Sequence, residues 1–317
     1  MSKIQKALEA LQSAKRNVGD PNSVGGAETS SISEAGRYKV RKGTGGTKES
    51  RSKVFFPDDD IAEEIEPNEK IAVDLDRLVA MGLFPSAEHA EMISHQFRRI
   101  KRPLLQSAFE IGLPVGENAN TIMMASALPG SGKSFCSVNL AHSISLERDV
   151  GAVLVDSDVL KPGTSRAFGL DDRIGLIDYL LDPAIAIQDI LVETDLNGIN
   201  FIPAGRKHPE ATELLASRRM QKLLKQLSDG FRHRVVIFDT PPLLVTNEAR
   251  VLAEKVGQIV LVIEAHVSLQ EQVIRALALL DRQKPINAIL NKSHSAQGGH
   301  IYADDYGYYP YQERGDS

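Results

Sequence analysis

TIMMASALPGSGKS, residues 121–134, decides how this chain folds. The apolar opening, 121–126, predicts a buried strand. Ala127-Leu128-Pro129-Gly130-Ser131-Gly132-Lys133-Ser134 then fits the P-loop pattern, with alanine in the first glycine position, and opens a helix over 133–147. Gly130 and Gly132 let the backbone curl so that successive N–H groups face phosphates, and the positive end of the helix adds to that field. The phosphate cradle is expected from Pro129, Gly130, Ser131, Gly132, Lys133, Ser134 and Phe135. Lys133 would reach the β- and γ-phosphates and the Ser134 hydroxyl would ligate magnesium. ATP and Mg2+ are the expected cofactors.

Downstream, short β-rich runs alternate with helical stretches. Strands are predicted at 121–126, 151–156, 199–203, 234–239, 257–263 and 285–290, and helices at 133–147, 210–228, 246–254 and 267–281. Continuously apolar strands such as Val235-Val236-Ile237-Phe238 imply burial on both faces, as in parallel sheets. Alternating β and α then gives an α/β fold: a doubly wound, mostly parallel sheet. Two of these strands end in acids, Asp156 with Asp158 one residue beyond it, and Asp239 before Thr240-Pro241-Pro242. Alone, an acid at a strand end is ordinarily a turn or a cap. Beside a P-loop, at the carboxyl edge where open α/β sheets bind ligands, such acids can hold magnesium or accept a hydroxyl proton. Lys133, Ser134, Asp156, Asp158 and Asp239 are thus the candidates for phosphate, metal and proton-accepting roles, with the division among the acids left open. Asn291, after the last strand, suits an adenine edge and a simple turn equally. Cys136 is expected to pack against the sheet and be inert.

Composition bounds the rest. A 317-residue chain with 42% hydrophobic residues can build a large core, and its single cysteine excludes disulfides and cysteine-built metal sites. The eight histidines show no metal-ligand spacing. With no membrane-length apolar run and no signal peptide, the cytoplasm is the expected compartment. Residues 1–53 hold eleven Lys/Arg against five Asp/Glu, and 57–91 hold two against eleven, so charges of about +6 and −9 adjoin. The basic arm could meet an anionic partner, fold back on the acidic segment or merely keep the chain soluble.

The expected organisation is a short amphipathic basic helix at 1–17, a flexible linker at 18–52, a helical extension and oligomerisation segment at 53–112, a P-loop domain at 113–293 and a tail at 294–317. Structure is expected to resume near Val54. Within the extension, 72–82 and 87–112 read as helices, the second kinked or interrupted at Pro103. The tail carries five of the seven tyrosines, Tyr302, Tyr306, Tyr308, Tyr309 and Tyr311, beside Asp304 and Asp305. A sticky terminus and a tyrosine phosphorylation substrate both fit that composition.

Taken together, the motifs resemble the bacterial tyrosine kinases over residues 90–311. The resemblance rests on PGSGKS with Asn139-Leu140-Ala141, the DSD strand, Phe168-Gly169-Leu170 before Gly175-Leu176, Glu213-Leu214-Leu215, DTPP, ILN and the tyrosine cluster. LDRLVAMG and Arg98-Arg99-Ile100-Lys101-Arg102-Pro103 look like the subgroup from exopolysaccharide and PEP-CTERM/exosortase loci. The resemblance implies a cytoplasmic autokinase, recruited to the inner face of the plasma membrane, that phosphorylates its own tail tyrosines in trans within a homo-oligomer. It also implies a transmembrane chain-length determinant (co-polymerase) and a phosphotyrosine phosphatase as partners, and no nucleic acid. Three positions depart from the family: Ser131 for glutamate, Leu160 for arginine with Lys161 pointing elsewhere along the strand, and His95…Arg98…Lys101 for a ring-forming Glu-x-x-Arg-x-x-Arg. Glu91, one turn earlier, could supply that acid. A partitioning or septum-type ATPase switch, and a nucleotide-gated scaffold docked to a membrane partner, are the alternatives.

Overall fold

A computed structural model describes residues 65–109, 118–230 and 233–293. The basic helix, the linker, the Val54 segment and the tyrosine tail lie outside them. Within them an eight-stranded sheet runs β1 (Glu69–Ile71), β2 (Thr121–Ala125), β3 (Gly151–Asp156), β4 (Val192–Thr194), β5 (Asn200–Ile202), β6 (Arg234–Asp239), β7 (Gln258–Glu264) and β8 (Ile286–Asn291). Its spatial order is β1-β4-β5-β3-β6-β2-β7-β8. Every pairing is parallel except β4 with β5, which is antiparallel. The predicted mostly parallel sheet is therefore observed.

All five residues of β2 are buried, as are residues 152–156 of β3 and 235–239 of β6. These are the strands whose apolar runs were unbroken in sequence, and they form the middle of the sheet. The two strands that sequence periodicity missed, β1 and β4, are three residues each and carry charge, Glu69-Lys70-Ile71 and Val192-Glu193-Thr194. Lys70 and Glu193 pair across them at 2.7 Å. The segment expected as a helical extension thus also supplies the edge strand of the sheet.

Ten helices are described: α1 (Leu75–Ala80), α2 (Ala90–Phe109), α3 (Lys133–Ser145), α4 (Gly163–Ala167), α5 (Leu176–Leu181), α6 (Ile187–Ile190), α7 (Ala211–Ala216), α8 (Arg218–Gly230), α9 (Asn247–Ala253) and α10 (Gln270–Ala278). The stretch expected as one helix over 210–228 is two. Ser217 is extended between them, at φ −63° and ψ 161°, and its Oγ accepts the Met220 N–H at 3.2 Å as a cap for α8.

Helix α2 departs from the sequence reading at two points. Of the kink or interruption expected at Pro103, the interruption is not found: one helix runs from Ala90 to Phe109. A proline inside a helix costs about 3 kcal/mol, but Leu104, Leu105 and Ala108 beyond it are buried, and each such leucine returns about 1.5–3 kcal/mol. Packing outweighs the lost bond. Lys101, read as part of an exposed oligomerisation motif, is instead buried, with its Nζ donating to the Ser143 carbonyl and pairing with Glu147 at 2.7 Å. Ser143 lies in the last turn of α3, whose carbonyls lack helical donors and carry the negative end of the dipole. Lys101 therefore fastens α2 to α3, aided by the edge-on contact of Phe97 with Phe135, ring centroids 6.3 Å apart.

Candidate active site

The topology alone brings the three motifs together. β6 lies between β3 and β2, and in register Asp239 stands beside Asp156 on one side and Met124 on the other. The P-loop that follows β2 and the acids ending β3 and β6 consequently share one stretch of the carboxyl edge.

Within the loop, Gly130 and Gly132 adopt left-handed backbone, φ 87° and 86°. That conformation costs a residue with a side chain about 1–2 kcal/mol. At Gly132 an added Cβ would also lie 2.2 Å from Asn291 Nδ2. Ser131 is buried, Pro129 and Gly130 are exposed, and Ser134 and Phe135 are half-buried at the start of α3. Lys133 is buried and its Nζ donates to Ser126 Oγ at 3.0 Å. Burial pulls its pKa below the ordinary lysine value, against the opposing charges of Asp239 and Asp158.

Each acid is held differently. Asp239 accepts from Ser137 Oγ at 3.1 Å and from Thr164 Oγ1 at 2.6 Å. Asp156 is fully buried and accepts from the Ser165 N–H and Oγ, both at 2.7 Å, and from the Asp158 N–H at 3.2 Å. Burial, then the adjacent Asp239, push its carboxyl up to about 8, against the Ser165 bonds. A carboxyl held this way takes either a proton or a cation. Asp158 is half-buried, and burial raises it too, opposed by the Lys161 N–H that one oxygen accepts at 3.1 Å. Ser126, Ser137, Thr164 and Ser165 escaped the sequence reading. Ser137, one helical turn past Lys133, carried the only usable signal.

Asn291 ends β8 and donates Nδ2–H to the Ser131 carbonyl at 2.9 Å, which places it against the P-loop rather than in a free turn. Lys292 donates to the Gly130 carbonyl at 2.7 Å and pairs with Glu264 at 3.1 Å. Cys136 is buried as expected, and burial pushes its thiol up to about 12. Iodoacetamide at mildly alkaline pH should leave Cys136 unmodified in the native protein and alkylate it fully in denaturant. Native-state labelling at a free-thiol rate would overturn that assignment.

No protein-family model matches the chain. Over 224 residues the chain is 29% identical to the tyrosine-protein kinase YwqD of Bacillus subtilis, covering 70% of this chain and 88% of that protein. It is 29% identical over 215 residues to the tyrosine-protein kinase wzc of Salmonella typhimurium, covering 67% of this chain and 29% of that longer protein. The kinase domain of the Escherichia coli tyrosine kinase ETK superposes with a TM-score of 0.55 at 25% identity, over 65% of this chain and 79% of that one. Its homologues are bacterial tyrosine-protein kinases.

Against these kinases, the Leu160 position reads differently in three dimensions. β3 ends at Asp156, so Lys161 does not lie on a strand as the sequence suggested. It sits on a turn, its own N–H folds back on Asp158, and its charge bears on the Asp158 carboxyl. Leu160 is 46% exposed. Among the described residues no three of His, Cys, Asp and Glu form a ready-made metal cage.

Proposed function

We propose that this chain is an ATP-dependent protein-tyrosine autokinase that modifies the tail tyrosines of a neighbouring copy and thereby regulates exopolysaccharide synthesis and export. The observation that carries this reading is the meeting of Lys133, Asp156, Asp158 and Asp239 at the ends of three adjacent strands, in a homologue of tyrosine kinases.

The P-loop backbone of Pro129–Phe135 would hold the phosphates, with Asn291 bracing it beside the base. Bound ATP would supply the phosphoryl group, and magnesium, held by Ser134 and through water by Asp156 and Asp239, would neutralise its charge. Lys133 offers a partly desolvated cation to the oxygens that gain charge during transfer. Asp158 is the better proton acceptor of the two DSD acids, because both Asp156 oxygens are already engaged, one by the Ser165 N–H and hydroxyl and the other by the Asp158 N–H. As the tyrosine oxygen bonds phosphorus and the bond to the ADP leaving group breaks, the hydroxyl proton passes to Asp158.

The catalytic segment is 113–293, with 53–112 docking it to further copies through the exposed Arg98 face of α2, and without Lys101. The partners are a transmembrane chain-length determinant and a phosphotyrosine phosphatase, met at the cytoplasmic face of the membrane. No described helix is long and apolar enough to cross a membrane. Mass spectrometry of phosphatase-treated protein, before and after incubation with ATP and magnesium, tests the proposal. Phosphotyrosine at 302–311 is expected, and its absence from the whole chain would refute kinase activity.

A further inference from the structure

One exposed arginine, Arg206, is held from below by a buried carboxylate. Asp178, in the first turn of α5, is buried and accepts from the Gly175 N–H at 2.9 Å and the Arg206 N–H at 3.1 Å. Its other oxygen accepts Nε–H of Arg206. Gly205 makes room for this carboxylate, and Gly175 for the backbone that packs beside it. Gly205 is left-handed at φ 80°, where a Cβ would lie 2.3 Å from Asp178 Oδ2, and a Cβ on Gly175 would lie 2.1 Å from the Pro203 carbonyl. Yet the Arg206 side chain remains 62% exposed. A buried carboxylate thus clamps one edge of a guanidinium and leaves its outer edge facing water. A preorganised arginine of this kind suits recognition of a carboxylate.

Its place in the sheet says whose carboxylate. β5 pairs with β3, Ile202 beside Val155, so the residues that follow leave the carboxyl edge next to Asp156. Ser165 Oγ, which donates to Asp156, also accepts the Ala204 N–H at 3.0 Å. Arg206 is two residues farther, at most about 7 Å of chain, and exposed Lys207 adjoins it. In the tyrosine cluster, Asp304 and Asp305 lie between Tyr302 and Tyr306. An extended segment that puts either tyrosine at Asp158 carries those acids only one to three residues away.

We infer that Arg206, with Lys207, is the substrate-recognition element that selects tyrosines flanked by carboxylates. The inference rests on the kinase reading and names the acceptor class of that same site.

The test uses chain lacking residues 302–311 as enzyme and full-length Lys133→Met protein as acceptor, with initial rates measured against acceptor concentration. Arg206→Ala should raise KM for the acceptor at least about 5-fold while kcat and the KM for ATP stay unchanged. Lys207→Glu leaves the Asp178 clamp untouched and should act in the same direction. Acceptor carrying Asp304→Lys and Asp305→Lys should be poor for the parent enzyme and recovered by Arg206→Glu. An unchanged acceptor KM in both enzyme variants, or no recovery in the charge swap, overturns the inference while leaving the kinase reading standing. No transfer by the parent enzyme overturns both.

Discussion

Lys133→Met should abolish phosphotyrosine while leaving the protein folded. The lysine is buried, its ammonium is penalised by desolvation, and its described hydrogen bond goes to Ser126 Oγ. Ser126 keeps its own bond to the Leu128 carbonyl at 2.7 Å when that donor goes. Methionine has similar length and needs no hydration, so folding loses little and sheds the cost of a buried charge. Catalysis would lose the cation that the proposed mechanism sets against the transferring phosphate. Single preorganised contacts to charge in a transition state are worth about 2.7–4 kcal/mol, roughly 100- to 1000-fold in rate. Thermal unfolding within a few degrees of the parent, together with at least a 100-fold drop in ATP-dependent phosphotyrosine, is the expected pair of results. Unchanged labelling would remove this site from the chemistry.

Replacing Tyr302, Tyr306, Tyr308, Tyr309 and Tyr311 with phenylalanine should eliminate most of the phosphotyrosine and hold the protein in its assembled state even with ATP. Each phosphate adds about −1.5 to −2 charges near neutral pH. Several within ten residues, beside Asp304 and Asp305, would repel one another and the acids of a neighbouring site. Modification should therefore release the tail, and sedimentation with and without ATP reads that release. The structure narrows the competing acceptors. Tyr179 is buried, its hydroxyl donates to Gln226 at 3.0 Å, and Arg219 stacks on its ring at 4.3 Å. Phosphate on Tyr179, or on Tyr38 among the residues not described, would defeat the tail as acceptor and the assembly cycle with it.

What the sequence reveals here follows the range of the interactions. The P-loop is legible because eight consecutive residues carry its whole geometry, and the acids are legible because a buried strand announces where it ends. The partners of those acids are not. Asp239 meets Thr164 and Ser137 across 75 and 102 residues, and no local pattern links them. β1 and β4 hide for another reason: three residues with a charge in the middle give no periodicity, and pairing alone makes them strands. Lys101 shows the hazard of reading charge as exposure. A long side chain can bury its stem and still satisfy its head on helix-end carbonyls.

The grip of Asn291 and Lys292 on the successive carbonyls of Ser131 and Gly130 joins the last strand to the loop beside its left-handed glycines. In mechanical terms the strand end is a root driven into the loop. Any force that shifts Asn291 or Lys292 reshapes the cradle, and any occupant that stiffens the cradle stiffens the root by an equal free energy, because coupling between two sites is reciprocal.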